Sequence, residues 1–327
     1  MKHISVLVPY GDPQIVSIVG AYKAFGRANK YFIDAGRNPL FTVQLVGNAR
    51  EHKVDKGIFS IHPHVLFTEV IRTDLVIIPA INWDFPEVLE ANKEMMAWVT
   101  GQYKNGAEVA SMCTGAFLLA DTGLLKGRSC STHWLAAHIF RRMFPDVNLM
   151  VEKLITDEYG IYTNGGAFSF LHLLLYLIEK YYGRETAIYC AKFLEVDIDR
   201  SSQSAFMMFM GMKDHQDEEI KKAQSFIETN VDKKISIEEL ADSLAIGRRN
   251  FDRRFIKATS TTPVEYLQRV KMEFAKKSLE SSRKTVSEVM YDVGYSDQKA
   301  FREVFKRITG LSPLEYRNKY NKEALVM

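Results

Sequence analysis

An internal repeat near the C-terminus constrains the fold of this chain more than any other feature. Residues 259–266 (TSTTPVEY) recur as residues 309–316 (TGLSPLEY), and residues 236–240 (SIEEL) recur as residues 285–289 (TVSEV). Proline, glutamate and tyrosine keep the same frame in both copies, which makes coincidence a poor explanation. The repeat therefore predicts two copies of one supersecondary unit.

Each copy has the pattern of a helix, a tight turn and a second helix. Ser236 and Thr285 are predicted N-caps of the first helices. Each is followed three residues later by a glutamate, as in a capping box. Ile246-Gly247 and Gly294 are predicted to form the two turns, because glycine readily ends a helix.

The second helix of each copy, at residues 248–258 and 297–307, is amphipathic. Phenylalanines spaced at i, i+4 predict its buried face, namely Phe251, Phe255, Phe301 and Phe305. The outer face carries basic and amide side chains, which are the types that read base edges in a DNA major groove. The predicted DNA-contacting residues are Arg248, Arg249, Asn250, Arg253, Gln298, Lys299, Arg302 and Lys306.

A plainer interpretation is that both copies are solvated amphipathic hairpins. The recurrence of the same turn and capping chemistry in two copies favours helix-turn-helix units instead. The net charge of +3 agrees with this, because residues 217–320 hold an excess of basic side chains while the rest of the chain is slightly acidic. A basic C-terminal part is weak support for a polyanionic partner.

Residues 217–320 resemble the DNA-binding domain of AraC-type regulators. The match is carried by Leu240-Ala241, residues 248–255, VGYSDQ at 293–298, Phe301, Phe305-Lys306-Arg307, Thr309-Gly310 and SPLEYR at 312–317. The resemblance implies two helix-turn-helix units joined by a long helix near residues 263–279. It also implies that both recognition helices face one side of the DNA. The first copy departs from the family pattern at Ile246 and Thr262.

The first 195 residues alternate between strand-like and helix-like patterns. Buried strands are predicted at residues 4–8, 41–46, 74–79 and 107–112, with helices at 15–28 and 86–103. This alternation predicts an α/β domain with a doubly wound, mostly parallel sheet of the flavodoxin-like kind. The polar residues 196–216 are interpreted as a connector, and residues 217–320 as an all-α, double helix-turn-helix domain.

Cys113 stands between a predicted buried strand and a predicted helix, as in a nucleophile elbow. A helix N-terminus there would lower the pKa of the thiol and offer backbone N–H groups to an anion. Local sequence alone favours the simpler interpretation, a buried cysteine that packs as a small hydrophobe. The three cysteines of the chain are odd in number and lack CxxC spacing, so no disulfide framework or metal site is predicted.

Residues 1–195 resemble PfpI-like, class I glutamine-amidotransferase-like domains, and more narrowly the GlxA group of regulators, which fuse such a domain to an AraC-type module. The match rests on CTGAFLLA at 113–120, GLL at 123–125, Gly127-Arg128 and THW at 132–134. It implies a pocket at the elbow, and its candidate ligand-binding residues are Cys113, Thr114 and His133. Enzymes of this superfamily also carry an acid from the first strand–helix region. Ser17 stands at that position here, and Asp12 is near in sequence but does not match it.

The sequence therefore predicts a sequence-specific transcription regulator in the cytoplasm that uses no cofactor. Its N-terminal domain is expected to be non-catalytic and to supply effector sensing, dimerisation or both. The predicted partners are double-stranded DNA, a small-molecule effector and a second copy in a homodimer. No membrane association is expected, because the most apolar stretch, residues 168–178, is too short to span a bilayer. The rival predictions are a cysteine enzyme of the isonitrile-hydratase or amidase kind and a pure dimerisation scaffold.

Overall fold

A computed structural model describes residues 1–321 of the chain. The chain divides into two compact units, Met1–Gln203 and Ser204–Met327. The polar segment interpreted as a connector is shared between them. Its residues 196–203 belong to the first unit and its residues 204–216 to the second.

The first unit contains short and long strands separated by helices. Its strands are β1 Lys2–Val8, β2 Phe41–Gly47, β3 His52–Val54, β4 Phe59–Ile61, β5 Val65–Leu66, β6 Leu75–Ile78, β7 Glu108–Ser111, β8 Ser129–Cys130, β9 Asn148–Leu149, β10 Ile155–Glu158 and β11 Ile161–Asn164. Its helices are α1 Ile15–Asp34, α2 Phe85–Ala91, α3 Lys93–Lys104, α4 Ala116–Asp121, α5 Ala137–Met143, α6 Phe170–Tyr182 and α7 Arg184–Leu194.

A seven-stranded sheet in the order β10-β11-β7-β6-β1-β2-β5 forms the centre of this unit. All neighbouring strands in it are parallel except β10, which pairs antiparallel with β11 at one edge. One apolar core packs α1, α6 and α7 on one face of the sheet, and a second packs α2 to α5 on the other. Because both faces are covered, central strands such as β6 are buried along their whole length. The predicted mostly parallel α/β fold is confirmed.

One predicted helix of the first unit is wrong in extent. The pattern over residues 86–103 indicated a single helix, whereas the chain forms α2 and α3 with a break at Asn92. The Asn92 side chain is buried, donates to the carbonyls of Tyr10 and Val88, and accepts a hydrogen bond from the Tyr10 N–H. These partners come from tertiary packing, so periodicity could not reveal the break.

The second unit is helical in the part that the structure describes. Its helices are α8 Glu218–Thr229, α9 Ile237–Ser243, α10 Arg248–Thr259, α11 Pro263–Ser281, α12 Val286–Asp292, α13 Gln298–Thr309 and α14 Pro313–Tyr320. They enclose a single apolar core. Across residues 1–321, every helix falls short of the length and hydrophobicity that a bilayer crossing requires.

The sequence repeat is also a repeat of contacts. Tyr266 donates its hydroxyl hydrogen to Glu228 at 2.7 Å, and Tyr316 donates likewise to Glu280 at 2.5 Å. Each tyrosine ring also packs edge-on against the second phenylalanine of its own helix-turn-helix copy. The ring centroids are 5.3 Å apart for Phe255 and Tyr266, and 5.5 Å apart for Phe305 and Tyr316. The recurring tyrosine therefore tethers each predicted DNA-reading helix to a preceding helix, α8 in the first copy and α11 in the second.

The turns of the two helix-turn-helix copies differ in a way that the sequence pattern missed. The residue with left-handed backbone is Ala245 in the first helix-turn-helix copy, with φ 55°, and Gly294 in the second copy, with φ 69°. Gly247, predicted to lie in the turn, is instead the extended N-cap of α10. Thr285 and Glu288 form a complete capping box, while Ser236 only accepts the Glu239 N–H.

Candidate nucleic-acid interface and cysteine elbow

The first candidate recognition helix, α10, presents a mixed polar face. Arg249, Asn250 and Arg253 are exposed, and the Asn250 side chain accepts a hydrogen bond from Arg253 at 3.0 Å. Arg248 is half-buried and donates to Asp252 one turn later at 3.0 Å. The Arg248 guanidinium therefore has an intramolecular partner, while Arg249 projects from the first turn of the helix.

The second candidate recognition helix, α13, is more openly basic. Asp297 is its N-cap and accepts the Ala300 N–H at 2.8 Å, so the helix begins at Gln298. Its predicted contact residues are all exposed, namely Gln298, Lys299, Arg302 and Lys306. Phe301 and Phe305 are fully buried beneath them. The predicted residues of α13 are thus all solvent-accessible, while the buried phenylalanines anchor the helix.

A buried lysine that sequence reasoning missed links the two helix-turn-helix units. Lys271, on the long helix α11, is only 5% exposed. Its Nζ donates at 2.8 Å to the carbonyl of Lys233, ahead of α9, and at 2.8 Å to the carbonyl of Val293, at the end of α12. Burial lowers the pKa of this ammonium group. The lysine therefore ties the turn before the second recognition helix to the segment that precedes α9, the first helix of the first helix-turn-helix copy.

Cys113 occupies a strained turn directly after β7. Its φ is 53°, a left-handed value that is rare for a residue with a side chain. A Cβ on Gly115, two residues on, would lie 2.3 Å from the Pro79 carbonyl oxygen, so the turn packs directly on the chain that leaves β6. Cys113 is 3% exposed. The predicted elbow geometry is present, and its sulfur faces the protein interior.

The surroundings of the thiol do not activate it. Burial raises the pKa of the Cys113 thiol, and hydrogen bonds from the backbone N–H groups of Ala167 and Thr114 only partly oppose this effect. The nucleophilic thiolate is therefore disfavoured at neutral pH. The expectation that a helix N-terminus lowers this pKa is wrong here, because desolvation is the larger effect.

The hydroxyl of Thr114 is engaged with the neighbouring strand end. It donates to the Ile81 carbonyl at 2.7 Å and accepts from the Ile81 N–H at 2.9 Å. Ser17, at the position of the family acid, is similarly occupied: its hydroxyl donates to the Gln14 carbonyl at 2.8 Å and accepts the Ala80 N–H at 3.2 Å. Both side chains hold loops together at the ends of the sheet strands.

His133 lies at the edge of the loop that covers the cysteine. Its ring packs on the backbone of Gly166, next to the residue that donates to the thiol. Its Nδ1 accepts the Leu135 N–H at 3.1 Å, and its ring contacts Trp83 edge-on at 6.1 Å. Burial lowers the pKa of this imidazole. His133 and Cys113 thus border the same loop, and His133 also caps a short 3₁₀ turn.

Asp12, the acid nearest in sequence to Ser17, makes its hydrogen bonds to two other loops. Its carboxylate accepts the Asp55 N–H at 2.7 Å and the Asn82 side-chain amide at 3.0 Å. The acid therefore fastens surface loops.

Comparison with known proteins finds a family match within each unit. Residues 30–179 match the DJ-1/PfpI family, and residues 240–319 match a helix-turn-helix domain. The chain joins a DJ-1/PfpI domain to an AraC-type helix-turn-helix domain. The two predicted resemblances are confirmed.

Curated relatives match about two thirds of the chain at modest identity. The HTH-type transcriptional regulator GbdR of Pseudomonas aeruginosa is 24% identical over 226 residues, which is 69% of this chain and 61% of that protein. The HTH-type transcriptional regulator GlxA of Rhizobium meliloti is 22% identical over 209 residues, which is 64% of each protein. The chain therefore spans somewhat less than two thirds of the length of these relatives.

A solved structure agrees with the fold. The crystal structure of a THiJ/PfpI family protein from Pseudomonas syringae superposes with a TM-score of 0.51 at 18% identity, covering 75% of this chain and 90% of that one. At this identity the likeness concerns the fold alone.

Proposed function

We propose that this protein is a sequence-specific DNA-binding transcription regulator. One observation carries the proposal: two helix-turn-helix units share the same tyrosine tether and buried phenylalanine pair, and each turns a polar, mainly basic helix face outward. Such a helix fits a major groove, where arginine, asparagine and glutamine side chains pair with base edges. The naming of GbdR and GlxA as HTH-type transcriptional regulators supports the same function.

Within this function, early residues of each recognition helix would read bases. Arg249 and Arg253 on α10, together with Gln298 and Lys299 on α13, are exposed near the helix N-termini, where such helices touch base edges. Arg302 and Lys306 lie further along α13 and suit phosphate contacts. Two helices in successive major-groove segments would bind subsites one DNA turn apart, ~34 Å.

The N-terminal domain would act without catalysis. A cysteine nucleophile needs a base within hydrogen-bonding reach and a group that orients it. Ser17 replaces the acid, burial raises the pKa of the Cys113 thiol, and the Nδ1 of His133 accepts a backbone N–H. These features support effector sensing or dimerisation in place of the rival enzymatic function. Exposed valines on α1, Val16 and Val19, suit a surface between two copies.

Fluorescence anisotropy of the full chain with a promoter fragment found by mapping its genomic binding sites tests the DNA-binding function. Phosphate contacts release counterions, so the affinity should fall steeply as salt rises. A scrambled fragment of equal length is the matched control, and it should bind at least tenfold more weakly. Equal affinity for both fragments, or affinity that does not depend on salt, would contradict sequence-specific DNA binding.

The non-catalytic role has its own test. Hydrolase and hydratase substrates are incubated with the wild-type protein and with Cys113→Ala, and turnover of both is expected at the background rate. Robust turnover that disappears in the variant would establish the enzymatic alternative. Size-exclusion chromatography with light scattering would reveal whether two copies associate, and a strictly monomeric protein at micromolar concentration would rule out the homodimer.

A further inference from the structure

Residues 204–217 form a strap that lies along the helices of the second unit. The strap contains one short 3₁₀ turn, Ser204–Phe206, and is otherwise irregular until helix α8 begins. Most of it belongs to the polar segment that was interpreted from the sequence as a connector. It follows Gln203 directly, so it is the covalent connection from the first unit to the DNA-binding helices.

The two ends of the strap contact the two candidate recognition helices. At its start, the Cβ of Ser204 lies 3.6 Å from the position that a Cβ on Gly310, the C-cap of α13, would occupy. At its end, the Asp217 carboxylate accepts hydrogen bonds from the Arg254 guanidinium of α10 at 2.6 Å and 2.9 Å. One segment therefore contacts both helices that are predicted to read DNA.

Buried polar side chains of α11 hold the middle of the strap. Lys276 is 4% exposed, and its Nζ donates at 2.7 Å to the Met207 carbonyl and at 2.7 Å to the Glu273 carboxylate. The same carboxylate accepts the Phe209 N–H at 3.0 Å. Because an irregular segment has no regular backbone pairing of its own, these side chains supply the partners that a helix or sheet would supply. They fix the position of the strap along α11.

The strap also contacts the tyrosine tether of each helix-turn-helix copy. In the first copy, the Phe209 ring packs edge-on against Tyr266, with ring centroids 5.0 Å apart. In the second copy, Tyr320 donates its hydroxyl hydrogen to the Ala205 carbonyl at 3.0 Å, and its ring packs on Tyr316 with centroids 4.6 Å apart. Displacement of the strap would therefore remove contacts from both copies at once.

The strap is held more weakly than the helices that it contacts. Met208 and Met210 are 54% and 74% exposed, so few apolar side chains anchor the segment. Segments with few buried apolar contacts open at a lower free energy than the packed core around them. The strap is therefore able to leave while the helical core stays folded.

We propose that the strap is a conformational switch. In the docked state it holds α10 and α13 in the arrangement that binds DNA, and its release lowers DNA affinity. The proposal rests on the proposed DNA-binding function. Two linked helices gain affinity together only when both fit their major-groove segments, so a segment that contacts both sets the affinity of the whole unit. The first unit reaches the DNA-binding helices through this segment, because the chain continues into it from Gln203.

Hydrogen exchange of the full-length protein tests docking and release. The Phe209 amide should exchange at least tenfold more slowly than an unstructured peptide, because Glu273 accepts its hydrogen. It should also exchange at least tenfold faster than the central amides of α11. Exchange at the unstructured rate would show that the strap is not docked, and exchange as slow as that of α11 would show that it leaves only on unfolding. Either result would overturn the proposal.

Two variants test whether docking controls DNA affinity. Phe209→Ala removes the ring from Tyr266, and Asp217→Ser removes the pair with Arg254 but keeps an N-cap for α8. Each should weaken binding to the promoter fragment at least threefold. Loss of a carboxylate by itself would strengthen binding to a polyanion, so weaker binding by Asp217→Ser is opposite to the effect of charge. Unchanged or tighter binding by either variant would overturn the proposal.

Thr262→Ala is the matched control for stability. Thr262 caps α11 by accepting the Glu265 N–H, and loss of this cap destabilises the same unit from outside the strap. Its promoter affinity should equal that of the wild-type protein, because a small loss of stability leaves almost all molecules folded. A loss of affinity as large as that of the strap variants would trace their effect to stability and overturn the switch.

A crosslink tests the docked state directly. The 3.6 Å between the Ser204 Cβ and the Cβ position of Gly310 suits a disulfide, so oxidised glutathione should join the two cysteines introduced by Ser204→Cys and Gly310→Cys. In the crosslinked protein, Phe209→Ala should cost less than twofold in promoter affinity, and after reduction it should again cost at least threefold. Equal losses in both redox states, or failure of the crosslink to form, would overturn the proposal.

Failure of the proposed DNA-binding function has a separate signature. Absence of promoter binding by the wild-type protein would contradict that function. Promoter binding by the wild-type protein that is insensitive to both strap variants would overturn the switch alone.

Discussion

The side chain of Gln203 donates a hydrogen bond to the carbonyl of Thr132 at 3.0 Å. Thr132 in turn donates its hydroxyl hydrogen to the carbonyl of Cys113 at 2.8 Å. The amide oxygen of Gln203 accepts the Gly166 N–H at 2.9 Å, and the next residue, Ala167, donates to the Cys113 thiol. The last residue of the first unit is therefore linked on two sides to the cysteine elbow.

Replacing Gln203 should destabilise the first unit. Gln203→Leu leaves buried backbone groups without partners, which costs about 2–4 kcal/mol in the free energy of unfolding. Gln203→Glu should be worse, because a carboxylate would face the carbonyls of Thr132 and Val151 that the amide N–H groups now satisfy. Urea denaturation of the full chain measures both effects. Gln216→Leu, at an exposed position, is the control, and a Gln203 variant as stable as this control would refute the linkage.

Acid should weaken the first unit through His133. Burial lowers the pKa of its imidazole below the ordinary value of 6.5, so the unfolded chain binds more protons as the pH falls through 6.5. The free energy of unfolding should therefore decrease on going from pH ~7.5 to ~5. His133→Asn keeps an acceptor for the Leu135 N–H and cannot titrate, so its stability should vary less with pH. His62→Asn, at an exposed position, should keep the wild-type dependence; an unaltered slope in His133→Asn would exclude this histidine as a cause.

The two turns should respond oppositely to exchange of alanine and glycine. Ala245→Gly removes left-handed strain and should raise stability by about 0.5–1 kcal/mol after the added chain entropy of glycine. Gly294→Ala should lower it by about 2–4 kcal/mol, because the new Cβ would lie 2.6 Å from the Asp232 carbonyl oxygen and 2.7 Å from Lys271 Nζ. Thermal unfolding of the full chain gives both values. Effects of the same sign would contradict this assignment of the turns.

Lys271→Met should loosen the DNA-binding unit. The methionine fills the space of the lysine stem but leaves the Lys233 and Val293 carbonyls without their donor, at a cost of about 2–3 kcal/mol. Promoter affinity should fall as well, because the turn before α13 loses its anchor. Lys277→Met, an exposed position on the same helix, tests whether loss of charge alone has this effect. If the two variants weaken DNA binding equally, Lys271 acts only through its charge.

Replacing a base-reading residue should relax the sequence specificity of DNA binding. Arg249→Ala or Gln298→Ala should cost ~1–3 kcal/mol of promoter binding and reduce discrimination at one base position. Lys306→Ala should weaken binding to all sequences and lower the salt dependence, as a phosphate contact does. Anisotropy with a set of single-base promoter variants separates the two patterns. Lys222, on α8, pairs with Glu219, and Lys222→Ala should leave promoter binding unchanged. Uniform weakening in Arg249→Ala would reassign it to the phosphate backbone.

Sequence alone determined what depends on local pattern. The offset repeat predicted two helix-turn-helix units, since capping residues and phenylalanines at i, i+4 act within one or two helical turns. Apolar runs likewise predicted the strands of the parallel sheet, because strands covered on both faces must be apolar along their length. The elbow at Cys113 was also predicted, from its place between a strand and a helix.

Tertiary structure decided what depends on distant partners. The protonation of Cys113 is set by desolvation, which no local pattern contains. The break at Asn92, the buried ammonium of Lys271 and the links of Gln203 each need carbonyls that lie far away in the chain. Ala245 adopts a left-handed backbone against a local preference of about 1–2 kcal/mol. The hydrogen-bond partner of a buried polar residue can lie far away in the sequence, so it is known only once the chain has folded.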